Sequence, residues 1–407
     1  MTKSARHFEA FADHTLLKHA ILRAYLQSWA FKLLLRPGAG DVIYFVDGFS
    51  GPGIDGKGNP GSPVIASQIA VQVRRYLKTK TGRQVQLRVI AIEADPRKFR
   101  QLESQLDPFR ADNPTSAVAL HGTLSEHADH VVREIAGQPA LFFLDPFGVK
   151  GLDASKYPAM LSGNHNEIFV LFDDVGAARL RGVVHAADPV ERRRRALEAS
   201  PSLFAELDAQ RASELERAAQ EKSQVVRRFG ENARRPLSEA LGDSSWEVEL
   251  RGASSDHARG GLIFRFITAL LDAGGRHPTV VYMRSETGGH KYCLVHISKS
   301  LSGYTAMKEA VSSGLSREDL SVDMRLRMRE DLRVPMAEVV ARVQERFGGR
   351  AVRWSAEKGQ EIETVKRFLL EETDVFDFQC PEIKAGMKDR GWLRTINRLQ
   401  HLVVPGA

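Results

Sequence analysis

At 407 residues the chain exceeds what one hydrophobic core usually organises, so two or three folding units are expected. With 43% hydrophobic and 27% charged residues it is neither fibrous nor wholly disordered. The net charge of +7 is spread thinly: residues 1–186 carry 22 Lys/Arg against 18 Asp/Glu, residues 187–243 carry 11 against 11 and residues 316–407 carry 17 against 16, so a polyanionic partner is permitted but not demanded.

A helix is expected over Thr15–Leu35, where Leu17, Ile21, Leu22, Tyr25, Leu26, Trp29 and Leu33 recur at helical spacing. Breaker chemistry at 36–40 ends it, and DVIYFVD (41–47) then reads as a buried strand. After a Gly/Pro-rich loop come a helix at about 64–77, a strand over Gln86–Glu93 and a helix over 94–106 opened by Asp95-Pro96. Further strands are expected at 117–120, 141–144 and 167–172, with a helix near 125–135. This alternation implies parallel βαβ units and a doubly wound α/β sheet.

Residues 188–243 break the rhythm and read as a charged helical insertion. Its densest basic run, Arg192–Arg195, suits a solvated helix face better than a phosphate contact. Thr279–Arg284 and Tyr292–Ile297 read as a β-hairpin that places an antiparallel strand at one edge of the sheet. Met324, Met328 and their arginine neighbours read as surface. From residue 316 a small domain is expected, helical at 336–347, 361–370 and 382–389 and winged-helix-like, leaving 1–315 as the main domain.

Cys293 and Cys380 have no Cys or His at metal-ligand spacing, so neither zinc cluster nor disulfide is expected, and no metal is assigned. No run approaches the ~18 apolar residues of a membrane span. The segment MTKSARHFEAF lacks the apolar core of a signal peptide, so a cytoplasmic location is the expectation.

The chemistry concentrates at strand ends. Asp47-Gly48-Phe49-Ser50-Gly51-Pro52-Gly53 follows the first strand, where open α/β sheets bind ligands and glycines admit close backbone approach. Such glycines also serve plain turns. Glu93 ends the next strand, where a carboxylate can grip both ribose hydroxyls, with Ala94 beside it. NAD competes on that ground. The loop lacks a full G-x-G-x-x-G, and the next helix N-terminus is displaced to about Ser62-Pro63, so S-adenosylmethionine fits better. Phe49, Pro52, Thr123, in HGT after the third strand, and Asp145, after the fourth, complete the cofactor candidates.

Asp145-Pro146-Phe147-Gly148 has the composition of the D/N-P-P-aromatic corner of methyltransferases that act on exocyclic amines of bases. The Asp145 carboxylate and the carbonyl beside Pro146 can each accept one N–H bond and turn the nitrogen lone pair towards a sulfonium methyl. Phe147 would stack on the base; equally, Asp-Pro can end a strand and Phe147 fill the core. Asp173 and Asp174 read as substrate-side residues or as caps of the next turn.

Taken in order, the N-terminal helix with Lys18, Ile21, Leu22, Tyr25, Leu26 and Trp29, then DGFSGPG, GSP, IEAD and LDPFG resemble the three-Cys-motif partner proteins over residues 14–175, more loosely through KYCLVHIS and GYTAMKEAV. The resemblance implies a class I methyltransferase-like Rossmann fold and a companion protein carrying three cysteines. The DPFG segment is also similar to that of tRNA guanine dimethyltransferases. The expectation is thus an S-adenosylmethionine-dependent methyltransferase of a nucleic-acid base amine, with a non-catalytic binding module as the alternative.

Overall fold

The computed structural model describes residues 13–111 (except 37 and 39), 116–187, 230–285, 288–317, 320–356, 363–396 and 399–405. Helix α1 (Asp13–Leu34) precedes β1 (Val42–Asp47), α2 (Ser62–Thr81), β2 (Gln86–Glu93), α3 (Pro96–Arg110), β3 (Ala117–His121), α4 (Leu124–Ile135) and β4 (Ala140–Leu144). Then follow β5 (Glu167–Phe172), α5 (Asp174–Ala187), α6 (Ser255–Asp272), β6 (His277–Arg284), β7 (His290–Ser298) and α7 (Leu301–Gly314).

Seven strands form one sheet in the order β3-β2-β1-β4-β5-β7-β6, parallel except for β7, which runs antiparallel to both its neighbours. This is the doubly wound α/β sheet expected from the strand rhythm. The order reverses between β1 and β4, so the loops after those two strands diverge and leave a crevice at their C-terminal ends.

The hairpin is placed differently from expectation. The antiparallel strand is interior, and the edge strand β6 runs with the rest of the sheet. The reason lies in the side chains. Strand β7 is buried from Tyr292 to Ser298 and needs neighbours on both sides, whereas β6 alternates and tolerates an edge.

Alternation along the strands divides the core. Ile43 and Phe45 of β1 face a layer built by α1, α2, α3 and α7, and Tyr44 and Val46 face the layer of α4, α5 and α6. Helix α1 runs across the first layer because Leu17, Ile21, Leu22, Tyr25 and Leu26 are all fully buried. A buried carboxylate fixes its angle: Glu167 accepts from Tyr25 of α1 and from His296 Nε2 (3.0 Å) and Ser298 Oγ (2.7 Å) of β7.

Residues 188–229 of the expected insertion, with Arg192–Arg195, lie outside the described residues; 230–241 are helical and pack on the second layer through Leu237 and Leu241.

Helix α8 (Val322–Asp331) corrects the reading of Met324 and Met328 as surface. Both are buried in the first layer's core, and Asp331 pairs with Arg284 of β6, so the segment continues the main core beyond residue 316. Arginines at every second or third position mask two methionines that are one turn apart and share a face.

The C-terminal core contains α9 (Met336–Phe347), β8 (Ala351–Arg353), α10 (Val365–Glu372), α11 (Cys380–Asp389), β9 (Leu393–Ile396) and β10 (Leu399–Val403). Its antiparallel sheet has the order β8-β10-β9, three short strands that sequence periodicity does not reveal. Lys308 of α7 joins the two cores. Its buried ammonium donates to the carbonyls of Leu370 (3.0 Å) and Thr373 at the C-terminus of α10, where the helix dipole favours a cation.

Candidate active site at the ends of β1 and β4

The loop after β1 is sewn to both neighbouring strands. Gly48 N donates to Phe143 O of β4 (2.9 Å), Ser50 N to Ile92 O of β2 (3.0 Å) and Gly51 N to Glu93 Oε2 (2.8 Å). Gly51 (φ 64°) and Gly53 (φ 84°) adopt the left-handed conformation that a Cβ would strain, so glycine is required at both.

The segment 54–60 folds into a tight hairpin, with a bridge between Ile54 and Pro60. The Asp55 carboxylate closes it from within, accepting from Lys57 N (2.9 Å), Asn59 N (2.7 Å) and Asn59 Nδ2 (2.7 Å). Gly61 N then donates to Gly53 O (2.7 Å), and α2 begins at Ser62 with Pro63 in its first turn.

These elements wall a cavity of about 230 Å³. Of the residues expected from sequence, Phe49, Pro52, Gly53, Asp145, Pro146 and Phe147 line it, and Asp173 joins them. Asp47 lies fully buried behind the loop; its Oδ1 accepts from Phe49 N (3.1 Å), and among the described residues Oδ2 has no hydrogen-bond partner. Burial raises its pKa to about 7, opposed by the nearby Ser62 hydroxyl and the Phe49 amide, with the Asp145 charge adding to the rise and Lys18 reducing it.

Glu93 supports the loop from outside the cavity, its second oxygen accepting from Asp95 N (2.7 Å). Each oxygen keeps a further lone pair for a hydroxyl donor. Ala94 and Thr123 also lie outside it, at the ends of β2 and β3. Ala94 is exposed, and Thr123 forms the capping box of α4 with Glu126.

The opposite wall was missed. The first turns of α1 carry His14, Thr15, Lys18 and His19 into the cavity, and β7 adds Lys291 and Tyr292. Lys18, with 6% of its side chain exposed, forms an ion pair with Asp145, which is 23% exposed. Lys291 Nζ meets His14 Nε2 at 2.6 Å. Burial, with Lys18 and Arg23 adding to it, pushes the His19 pKa well below the ordinary histidine value, so His19 is neutral. The only signal in the sequence was the clustering of polar residues at 14, 15, 18 and 19 in the first turns, and Arg23, Gln27, Ser28 and Lys32 further along the helix obscured it.

The two acids after β5 separate. Asp173 faces the cavity and also caps α5, accepting from Gly176 N (2.8 Å); burial raises its pKa. Asp174 is fully buried away from the cavity, between Arg259 Nε (3.1 Å), His290 Nε2 (2.8 Å) and the Cys293 thiol (3.4 Å).

This corrects the expectation that no histidine accompanies a cysteine. Tyr292 pairs with Met283 and His290 with Arg284, so Lys291 bulges out and His290 shares a face with Cys293. Ligand atoms of Asp174, His290 and Cys293 lie within 4.8 Å of one another. Arg259 already neutralises the carboxylate, and burial pushes the Cys293 thiol pKa up, so the cluster is closed as an ion-pair hub. Among the described residues no helix is long and apolar enough to cross a membrane.

No family model and no curated protein matches the chain. Among solved structures it is similar to an O-methyltransferase of Bacillus cereus in complex with SAH, at 11% identity and TM-score 0.30 over 69% of this chain and 80% of that one. It is also similar to a Staphylococcus aureus protein titled a caffeoyl-CoA O-methyltransferase, at 8% identity and TM-score 0.27 over 63% and 76%. Likeness of this degree carries no weight for the reaction, and the chemistry is drawn from this chain's own residues.

Proposed function

We propose that the chain is an S-adenosylmethionine-dependent methyltransferase acting on an exocyclic amine of a nucleic-acid base. One observation carries this reading: the glycine loop, with the carboxylate Asp47 behind it, and the Asp145-Pro146-Phe147 corner meet at one cavity at the switch point of the sheet. The site fits the cofactor. Asp47 Oδ2 is a buried acceptor without a hydrogen bond among the described residues, suited to a cationic amino group, and the left-handed turns at Gly51 and Gly53 bring the loop to the cavity wall at Phe49, Pro52 and Gly53. Asp47, Phe49, Gly51, Pro52 and Gly53 would hold it, with Glu93 supplying ribose acceptors. When bound, S-adenosylmethionine supplies an electrophilic methyl group on a sulfonium.

The chain's own residues orient the acceptor. Asp145 and the carbonyl preceding buried Pro146 offer two acceptors for one amine, and Phe147, 63% exposed, presents an aromatic surface at the mouth. Helices α9–α11 and the β8-β10-β9 sheet are read as a winged-helix module. The three-Cys-motif companion belongs to the proposal through the resemblance alone.

A second reading is a non-catalytic binding module, favoured by the Lys18–Asp145 pair, because the ammonium takes the acceptor that an amine would need. Transfer of labelled methyl from S-adenosylmethionine to tRNA, rRNA and DNA separates the two. The enzyme reading expects transfer to one of these pools, abolished by Asp145→Ala while cofactor binding persists. Cofactor binding without transfer to any pool would leave the binding module.

A further inference from the structure

A second cavity, of about 650 Å³, opens between the 54–60 hairpin and α3, with Ile54 and Gly56 on one side and Arg97, Arg100, Gln101 and Gln105 on the other. Ile54 also lines the first cavity, so the two share a wall. Arg97 and Arg100 are exposed, and among the described residues neither guanidinium is held in an ion pair or hydrogen bond, although the charges of Arg97 and Asp95 act on one another. The nearby acids keep their charge but have their oxygens held by amides. Asp95 accepts from the backbone amides of Arg97 (2.8 Å) and Lys98 (3.2 Å), and Asp55 is held inside its hairpin. Two guanidinium groups thus face a single carboxylate, Asp55, in the lining of the cleft, a local excess of positive charge within a region of only modest positive charge.

The same helix reaches the mouth of the first cavity, where Lys98 Nζ lies 5.1 Å from the centre of the Phe147 ring. Basic groups and an exposed aromatic ring thus lead from the cleft to the Asp145 corner. Phosphodiesters are drawn to guanidinium groups, and an unstacked base is drawn to an exposed ring.

We propose that Arg97, Arg100, Lys98 and Phe147 form a track for single-stranded nucleic acid, with backbone phosphates on the two arginines and one base on Phe147. It rests on the nucleic-acid reading of the first cavity and extends it, naming an unpaired strand as the substrate form. A base held in a duplex stack cannot offer its face to Phe147.

The test is fluorescence anisotropy of the full chain with labelled oligouridylate and oligothymidylate of about 16 nucleotides and a duplex of equal length, titrated at about 50 to 200 mM salt. We expect the wild type to prefer a single strand. Arg97→Glu/Arg100→Glu should weaken binding at least tenfold and flatten the log–log salt slope by about 1.4, two phosphates at about 0.7 each. Phe147→Ala should weaken binding about tenfold with the slope kept, and Arg133→Glu on α4 should change little.

Binding by the double variant equal to wild type, tighter binding of the duplex, or no binding by the wild type would each overturn the track. Parallel titration with S-adenosylmethionine separates this proposal from the reading beneath it. Single-strand binding lost in the double variant, with no cofactor binding in any sample, retains the track and removes methyl transfer; cofactor binding without strand binding does the reverse.

Discussion

Replacing Lys18 by Met keeps the length and apolar contacts of the side chain and removes only the ammonium. Leaving one partner of a buried ion pair uncompensated costs about 3–5 kcal/mol. Water reaches part of Asp145, which is 23% exposed, so about 2 kcal/mol is expected here. Asp47 responds as well. Lys18 lowers its pKa and Asp145 raises it, so losing the cation and unmasking Asp145 both drive it above about 7. If the cofactor's cationic amine needs the ionised carboxylate, one further pKa unit cuts the ionised fraction at pH 7 from about one half to about one tenth and weakens binding about fivefold. Calorimetric titration of Lys18→Met with S-adenosylmethionine at pH 7 and pH 8.5, beside thermal unfolding, reads both effects. Weak binding at pH 7 that recovers at pH 8.5 is expected. Equal affinity to wild type at both values would refute the coupling of Lys18 to the cofactor pocket.

Asp47 also sets a pH dependence in the unaltered protein. Between its unfolded value of 3.8 and about 7 the folded chain holds the proton more tightly, so this group's contribution to stability falls as pH rises through that window. Cofactor affinity moves the opposite way, rising as pH rises through about 7, and Asp47→Asn should abolish that rise in a titration series. Tyr25→Phe removes a hydrogen bond to the buried Glu167 carboxylate and should cost about 2 kcal/mol in urea unfolding while leaving cofactor affinity unchanged, since the pair lies away from the cavity. A cost below about 0.5 kcal/mol would count against the bond. Gly61→Ala would set its Cβ 3.0 Å from Gly53 O, forcing the base of the hairpin open; cofactor affinity should fall at least tenfold, with only about 1–3 kcal/mol lost in stability.

The parallel strands were legible because a strand covered on both faces is a continuous apolar run: β2 and β5 run from Gln86 to Glu93 and from Glu167 to Phe172, as read. Strand ends in such a sheet are binding positions, so Asp145 was named before it was seen to line the cavity, and Asp47 before it was seen to lie buried behind the loop. The α1 wall was hidden, because His14, Thr15, Lys18 and His19 are only some of the polar residues along that helix and acquire meaning only when the fold lays it across the crevice. The Asp174 hub was hidden for a different reason: the sequence left His290 in the hairpin loop before Tyr292, and a single bulge at Lys291 carries the strand back to it and turns it onto the face of Cys293. Ala94 and Thr123 were placed by the position of such residues at strand ends; capping chemistry and exposure set them outside the cavity.

The most direct measurement is calorimetric titration of the full chain with S-adenosylmethionine, repeated on Asp47→Ala and Glu93→Ala. The switch-point pocket predicts micromolar binding by the wild type, abolished by the first substitution and weakened at least tenfold by the second. No binding by the wild type, or binding that both variants retain, would contradict it.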